Sequence, residues 1–276
     1  MSRSLIILLI VCLLLLAAIE SFLFYHNKTY SKDEIARMFE PITSTYGIDI
    51  VYEVDDTFLS SLVNPGLPAG PSRDSIVQPI RHRVLASYPR LLLEAFKKYP
   101  VEVIKQHLNA IHFAKDINQH GFRYSGSVDP YRRVIYLVDD GRKDDRQAMR
   151  TFHHEFSSLL LNQKSLLLNP WFGQNPKDFK YLVKKVKRWD EINITGQGNQ
   201  AVYEKGFVTD YGQVSFENDF NEYSAMIFTY PTKFKQIMNQ YPRVQGKFQV
   251  WLKFYQKIDP IFTEVYLFGK SVNAAN

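Results

Sequence analysis

The segment Thr151-Phe-His-His-Glu-Phe-Ser-Ser-Leu-Leu160 constrains this chain more than any other. Met149, Phe152, Phe156, Leu159 and Leu160 recur at helical spacing and define one apolar side. His153, His154 and Glu155 are consecutive, about 100° apart on a helix, so they cannot all join that side. The fold must bury one face of this helix while carrying two imidazoles and a carboxylate away from it. On these residues alone, a surface or hydrogen-bonded structural pair of histidines is the commoner outcome, and half of a metal site is the rarer one.

In a His-Glu-x-x-His helix, two histidines four residues apart share a face and hold zinc. The glutamate beside the first takes a proton from the metal-bound water. His154-Glu155 opens that pattern, but Ser158 stands four residues on, and Ser157 stands four after His153. A neutral hydroxyl is a poor zinc ligand beside imidazole. The single cysteine, Cys12, lies in an apolar run near the N-terminus, which excludes an intramolecular disulfide and a thiolate zinc site in the rest of the chain. Any metal would need His, Asp, Glu or water.

That apolar run spans residues 5–19, follows Arg3 and resumes after Glu20 with Phe22-Leu-Phe-Tyr25. A basic start and an apolar core read as an export signal. As one helix, residues 5–25 would be about 31 Å long, close to a bilayer core. No small-x-small cleavage site is well placed, so residues 1–30 are expected to form an uncleaved membrane anchor with residues 31–276 outside the cytoplasm. A cleaved signal and a secreted or periplasmic product form the alternative. The formal net charge of +6 falls entirely on residues 26–276, because Arg3 and Glu20 cancel. No nucleic-acid-binding motif accompanies it. The basic cluster Lys184, Lys185, Lys187 and Arg188 is a solvated face or a contact for anionic lipid.

Ser31-Lys-Asp-Glu34 is a capping box that starts a helix. Strands are expected at Ile48–Val54, Ala110–Ile117, Phe122–Ser127 and Arg133–Val138. Helices are expected over Asp74–Lys98, Asp144–Asn162 and Asp178–Asp190, and the chain is largely helical from Phe216 to Phe268. Residues 63–73, 164–176 and 191–215 read as loops. Strands gather early and helices late, which gives an α+β chain without a clear boundary after residue 30.

A second stretch carries further information: Phe207-Val-Thr-Asp-Tyr211 leads into the helix Phe216-Glu-Asn-Asp-Phe-Asn-Glu222. Paired with the His154-Glu155 helix, it resembles the gluzincin class of zinc peptidases, in particular the bacterial zinc-binding metallopeptidases often found with export signals. The resemblance covers roughly residues 105–230. It implies a zincin-like fold, with a small sheet packed on the His-Glu helix and a mostly helical C-terminal half. It also implies zinc, with His154 and Glu222 as ligands, Glu155 as general base and Tyr211 beside the oxyanion of a cleaved peptide bond. Ser158 departs from the family's second histidine, and His153 is the nearest substitute. Two readings follow: an exported zinc-dependent peptidase acting on peptide or protein substrates, or a catalytically inactive binding or scaffold module of the cell envelope.

Overall fold

The computed structural model describes residues 10–11, 14–15, 29–55, 76–119, 122–164, 168–182 and 195–269. Helix α1 (Lys32–Tyr46) starts at the expected capping box, with Ser31 accepting from Glu34 N and Glu34 accepting from Ser31 N. It ends at Gly47, whose φ of 66° is the left-handed conformation that glycine adopts without strain. Strands β1 (Asp49–Val51) and β2 (Ile76–Pro79) follow, then helices α2 (His82–Leu85), α3 (Tyr88–Phe96) and α4 (Val101–His107).

The expected continuous helix over Asp74–Lys98 is therefore corrected to a strand and two short helices. Pro79 has no N–H to donate and disfavours helical backbone at Gln78. The β-branched Ile76 and Val77 pair instead with Asn118 and Ile117. Pro89 then sits in the first turn of α3, where a missing N–H costs nothing.

Strands β3 (Ala110–Gln119), β4 (Phe122–Arg123), β5 (Gly126–Asp129) and β6 (Val134–Val138) complete a six-stranded sheet. Its path runs β1-β3-β6-β5, with β2 and β4 both on β3. The β1–β3 and β3–β6 pairs are parallel, while β5 runs antiparallel to β6 and, among the described residues, has no second strand beside it. Alternation along β6 divides two cores. Ile135 and Leu137 join the large core shared with the helices, and Val134, Tyr136 and Val138 join a smaller cluster with Ala114 and Ile117.

Helix α5 (Asp145–Gln163) begins at a second capping box, Asp144 with Gln147, and buries Phe152, Phe156, Leu159 and Leu160. Helix α6 (Leu168–Phe172) lies in the expected 164–176 loop, and its Trp171 is fully buried. Helix α7 (Gln200–Glu204) and a 3-10 turn (Asp210–Gln213) lie in the expected 191–215 loop. Asp178–Tyr181 form no helix, and most of the expected Lys-rich helix lies outside the described residues.

The helical end is as expected but broken into four pieces: α8 (Phe216–Thr229), α9 (Pro231–Gln240), α10 (Pro242–Ile258) and α11 (Glu264–Phe268). Pro231 and Pro242 each open a new helix. Helix α8 runs through the interior, with every side chain from Asp219 to Phe228 buried, and packs mainly along α5. The molecule is thus a mixed α+β fold with a small sheet and a mostly helical second half. Most of the N-terminal apolar run lies outside the described residues, and among those described no helix is long and apolar enough to cross a membrane.

Candidate functional site

Helix α5 lies between the edge strand β5 and helix α8, and the candidate residues gather where these three meet the 3-10 turn. The structure brings together His154, Glu155, Tyr211 and Glu222 at one cleft of about 560 Å³. Arg123, Ser125, Gly126, Arg150 and Thr151 also line it, and a second groove continues from it over Arg123, Tyr124, Arg150 and Thr151.

His153 is placed elsewhere. It is turned into the core, where its ring packs against Phe152 and Phe228 and its Nδ1 lies 2.9 Å from the Tyr99 hydroxyl. Burial, with Lys98 adding, pushes its pKa down to about 3, so it is a neutral core histidine at physiological pH. It cannot reach a ligand shared with His154.

Glu222 is 1% exposed, and both its oxygens are occupied. Oε1 lies 3.0 Å from His154 Nδ1. Oε2 accepts from Thr209 Oγ1 at 2.7 Å and from Arg150 Nη2 in an ion pair. Burial alone would raise this carboxyl, but Arg150, His154 and Thr209 outweigh it and hold the pKa below the ordinary value. For His154, burial works to lower the pKa. The hydrogen bond to Glu222 and the charges of Glu155 and Glu222 outweigh burial and raise it.

Glu155 is pushed up to about 7, first by burial and then by the charges of Glu217 and Glu222, against His154 and Lys143. Its carboxyl rests on the backbone of β5. A Cβ added at Gly126 would fall 2.5 Å from Glu155 Oε1, so any larger residue there must displace the Glu155 carboxyl. The Tyr211 ring lies over His154 with centroids 5.8 Å apart, and burial raises its hydroxyl pKa. Ser158, where a second imidazole would stand, donates its hydroxyl to Glu217 Oε1.

These residues do not fit a zinc centre. Three or more donors must aim lone pairs at one point, and among the described residues no cluster of three or more His, Cys, Asp or Glu side chains converges in that way. The two would-be ligands His154 and Glu222 bond to each other, and a guanidinium occupies the carboxylate's other oxygen. Reasoning from sequence missed Arg150, Thr209 and Gly126. Arg150 had a readable signal: it stands four residues before His154, as Ser158 stands four after, so all three share a helix face. Thr209 lies within the Phe207–Tyr211 loop. The contact at Gly126 is long-range and left no mark.

A sequence model of one protein family, described as "putative zinc-binding metallo-peptidase", matches residues 29–259. The fold is similar to the crystal structure of a putative zinc-binding metallo-peptidase from Bacteroides caccae, with a TM-score of 0.51 and 15% identity over 86% of this chain and 95% of that one. At that identity the likeness speaks for the fold alone. Comparison with curated proteins gave no match.

Proposed function

Because this chain belongs to the putative zinc-binding metallo-peptidase family, we propose that it uses that fold without metal, as a binding module whose cleft takes a peptide or protein segment. One observation carries the reading: Glu222, the ligand expected from the second helix, is paired inside the protein with the Arg150 guanidinium and hydrogen-bonded to His154. The serine at position 158 and its bond to Glu217 point the same way.

A peptide suits the cleft for reasons of geometry and charge. Strand β5 offers beside it an edge that no described strand pairs with, where an extended chain can add main-chain hydrogen bonds. Arg123, Arg150 and Tyr211 supply cationic and aromatic contacts along the walls. The apolar residues 5–25 support placement of this domain outside the cytoplasmic membrane, held by an N-terminal anchor. Alkaline extraction of membranes tests that placement: an anchored chain stays in the pellet, and release into the supernatant removes the anchor.

The competing reading, a zinc-dependent hydrolase, draws on the gathering of His154, Glu155, Tyr211 and Glu222 at one cleft. The two are separated by preparing the full-length chain without chelator, offering zinc, dialysing and measuring metal by elemental analysis beside a peptide-library cleavage assay. The binding-module reading expects no retained zinc and no cleavage. One zinc per chain, with cleavage that chelator abolishes and Glu155→Gln removes, would overturn it.

A further inference from the structure

Arg150, His154 and Ser158 follow at intervals of four residues on α5, on the face turned toward α8. A zinc helix uses two such positions for imidazoles. Here a guanidinium stands one turn before His154 and a hydroxyl one turn after it.

Glu222 makes a cation at this point necessary. A carboxylate so deeply buried loses its hydration, and one or two neutral hydrogen bonds do not repay that loss. In a metal centre a divalent ion would supply the missing positive charge. In this chain Arg150 supplies it: its Nη2 reaches Glu222 Oε2, while the side chain keeps 28% of its surface exposed toward the cleft. Thr209 shares that oxygen, and His154 holds the other. The guanidinium cannot be neutralised at any physiological pH. A divalent cation approaching His154 and Glu222 would meet a fixed positive charge and would have to displace it.

We propose that Arg150 occupies the electrostatic place of the metal: it is a built-in counter-ion that holds Glu222 and His154 in position and keeps a divalent cation out. This rests on the metal-free reading above and goes beyond it, because the site is then closed by two independent changes. Replacing the missing imidazole at position 158 leaves Arg150 in place and does not reopen the site. Opening it requires the removal of Arg150 as well.

The test is zinc content in the full-length protein and three variants: Ser158→His, Arg150→Ala and Arg150→Ala/Ser158→His. Each is loaded with zinc, dialysed without chelator and measured by elemental analysis. The expected result is near zero for the wild type and for each single variant, and close to one zinc per chain for the double. Wild-type protein that holds one zinc would overturn the metal-free reading and this inference with it. A metal-free wild type whose Ser158→His variant binds zinc as tightly as the double variant would overturn the role of Arg150 alone. If circular dichroism shows the double variant unfolded, urea unfolding of Arg150→Met, Glu222→Gln and their combination decides. A combination more stable than Arg150→Met alone supports the counter-ion role, and additive losses overturn it.

Discussion

Replacing Lys247 by methionine should destabilise the helical half by roughly 3 kcal/mol, near the low end of what removal of one partner from a buried ion pair costs. Lys247 and Asp219 are both essentially unexposed, and their side chains meet at 2.6 Å. Asp219 Oδ2 also accepts from Trp171 Nε1 at 2.9 Å and from the Tyr181 hydroxyl at 2.8 Å, whereas Oδ1 has no partner among the described residues. The ammonium lies 3.8 Å from the centroid of the Phe207 ring, so it also loses a cation–π contact when removed. Burial pushes both groups toward their neutral forms, Asp219 up and Lys247 down, which shows how much the pair depends on its partners. The two neutral donors that remain on Asp219 are why the low end of the range applies.

At about 2–4 °C per kcal/mol for a domain of this size, the melting temperature should fall by about 6–12 °C. Urea unfolding followed by circular dichroism gives the free energy directly, and an unchanged m-value confirms that the unfolded state is not the cause. The combination Lys247→Met/Asp219→Asn should recover much of the loss, because replacing both partners removes the uncompensated charge. A loss below about 1 kcal/mol for Lys247→Met, or a combination worse than either single change, would refute the reasoning. Asp219 precedes Glu222 by less than a turn of α8, so the pair also fixes the register in which Glu222 meets α5.

Gly126→Ala should cost about 1–3 kcal/mol by overpacking, because its Cβ would fall within 3 Å of Glu155 Oε1, Cγ and Cδ; thermal melts should show most of that cost gone in a Glu155→Ala background. Thr209→Val should cost about 1–2 kcal/mol in urea unfolding, since it removes a 2.7 Å hydrogen bond to a buried carboxylate. His112 is held by burial at a pKa of about 4, below the unfolded value of about 6.5. Its contribution is therefore intact above about pH 6.5 and is lost as pH falls through about 4. The gap between those values sets an upper bound of roughly 3 kcal/mol, and stability measured from pH 7 to 4 should fall less steeply in His112→Asn.

The parts of the fold legible in the sequence were those set by local chemistry. The capping box at Ser31 marks a helix start that the structure reproduces, the helix expected from Asp144 begins there, and the apolar spacing around Phe152 and Phe156 identifies the buried side of α5. The segment from Ile76 was illegible for the opposite reason. Its apolar residues fit a helical period, and only pairing with β3, forty residues further on, makes it a strand. The site shows the same division. His154, Glu155, Tyr211 and Glu222 were readable as types in a spacing and do meet at one cleft. That Arg150 closes on Glu222 is a contact across 72 positions, set by how α5 lies against α8. His153 carried a polar name into a position whose rotation about the helix decides its fate, and that rotation delivers it to Tyr99.

The most direct test of the metal-free cleft is a crystal of the wild-type chain soaked in zinc, with data collected on both sides of the zinc absorption edge. The expected map has no anomalous peak between His154 and Glu222 and shows the Arg150 guanidinium on the Glu222 carboxylate. A peak bonded to both residues, with Arg150 swung away, would contradict it.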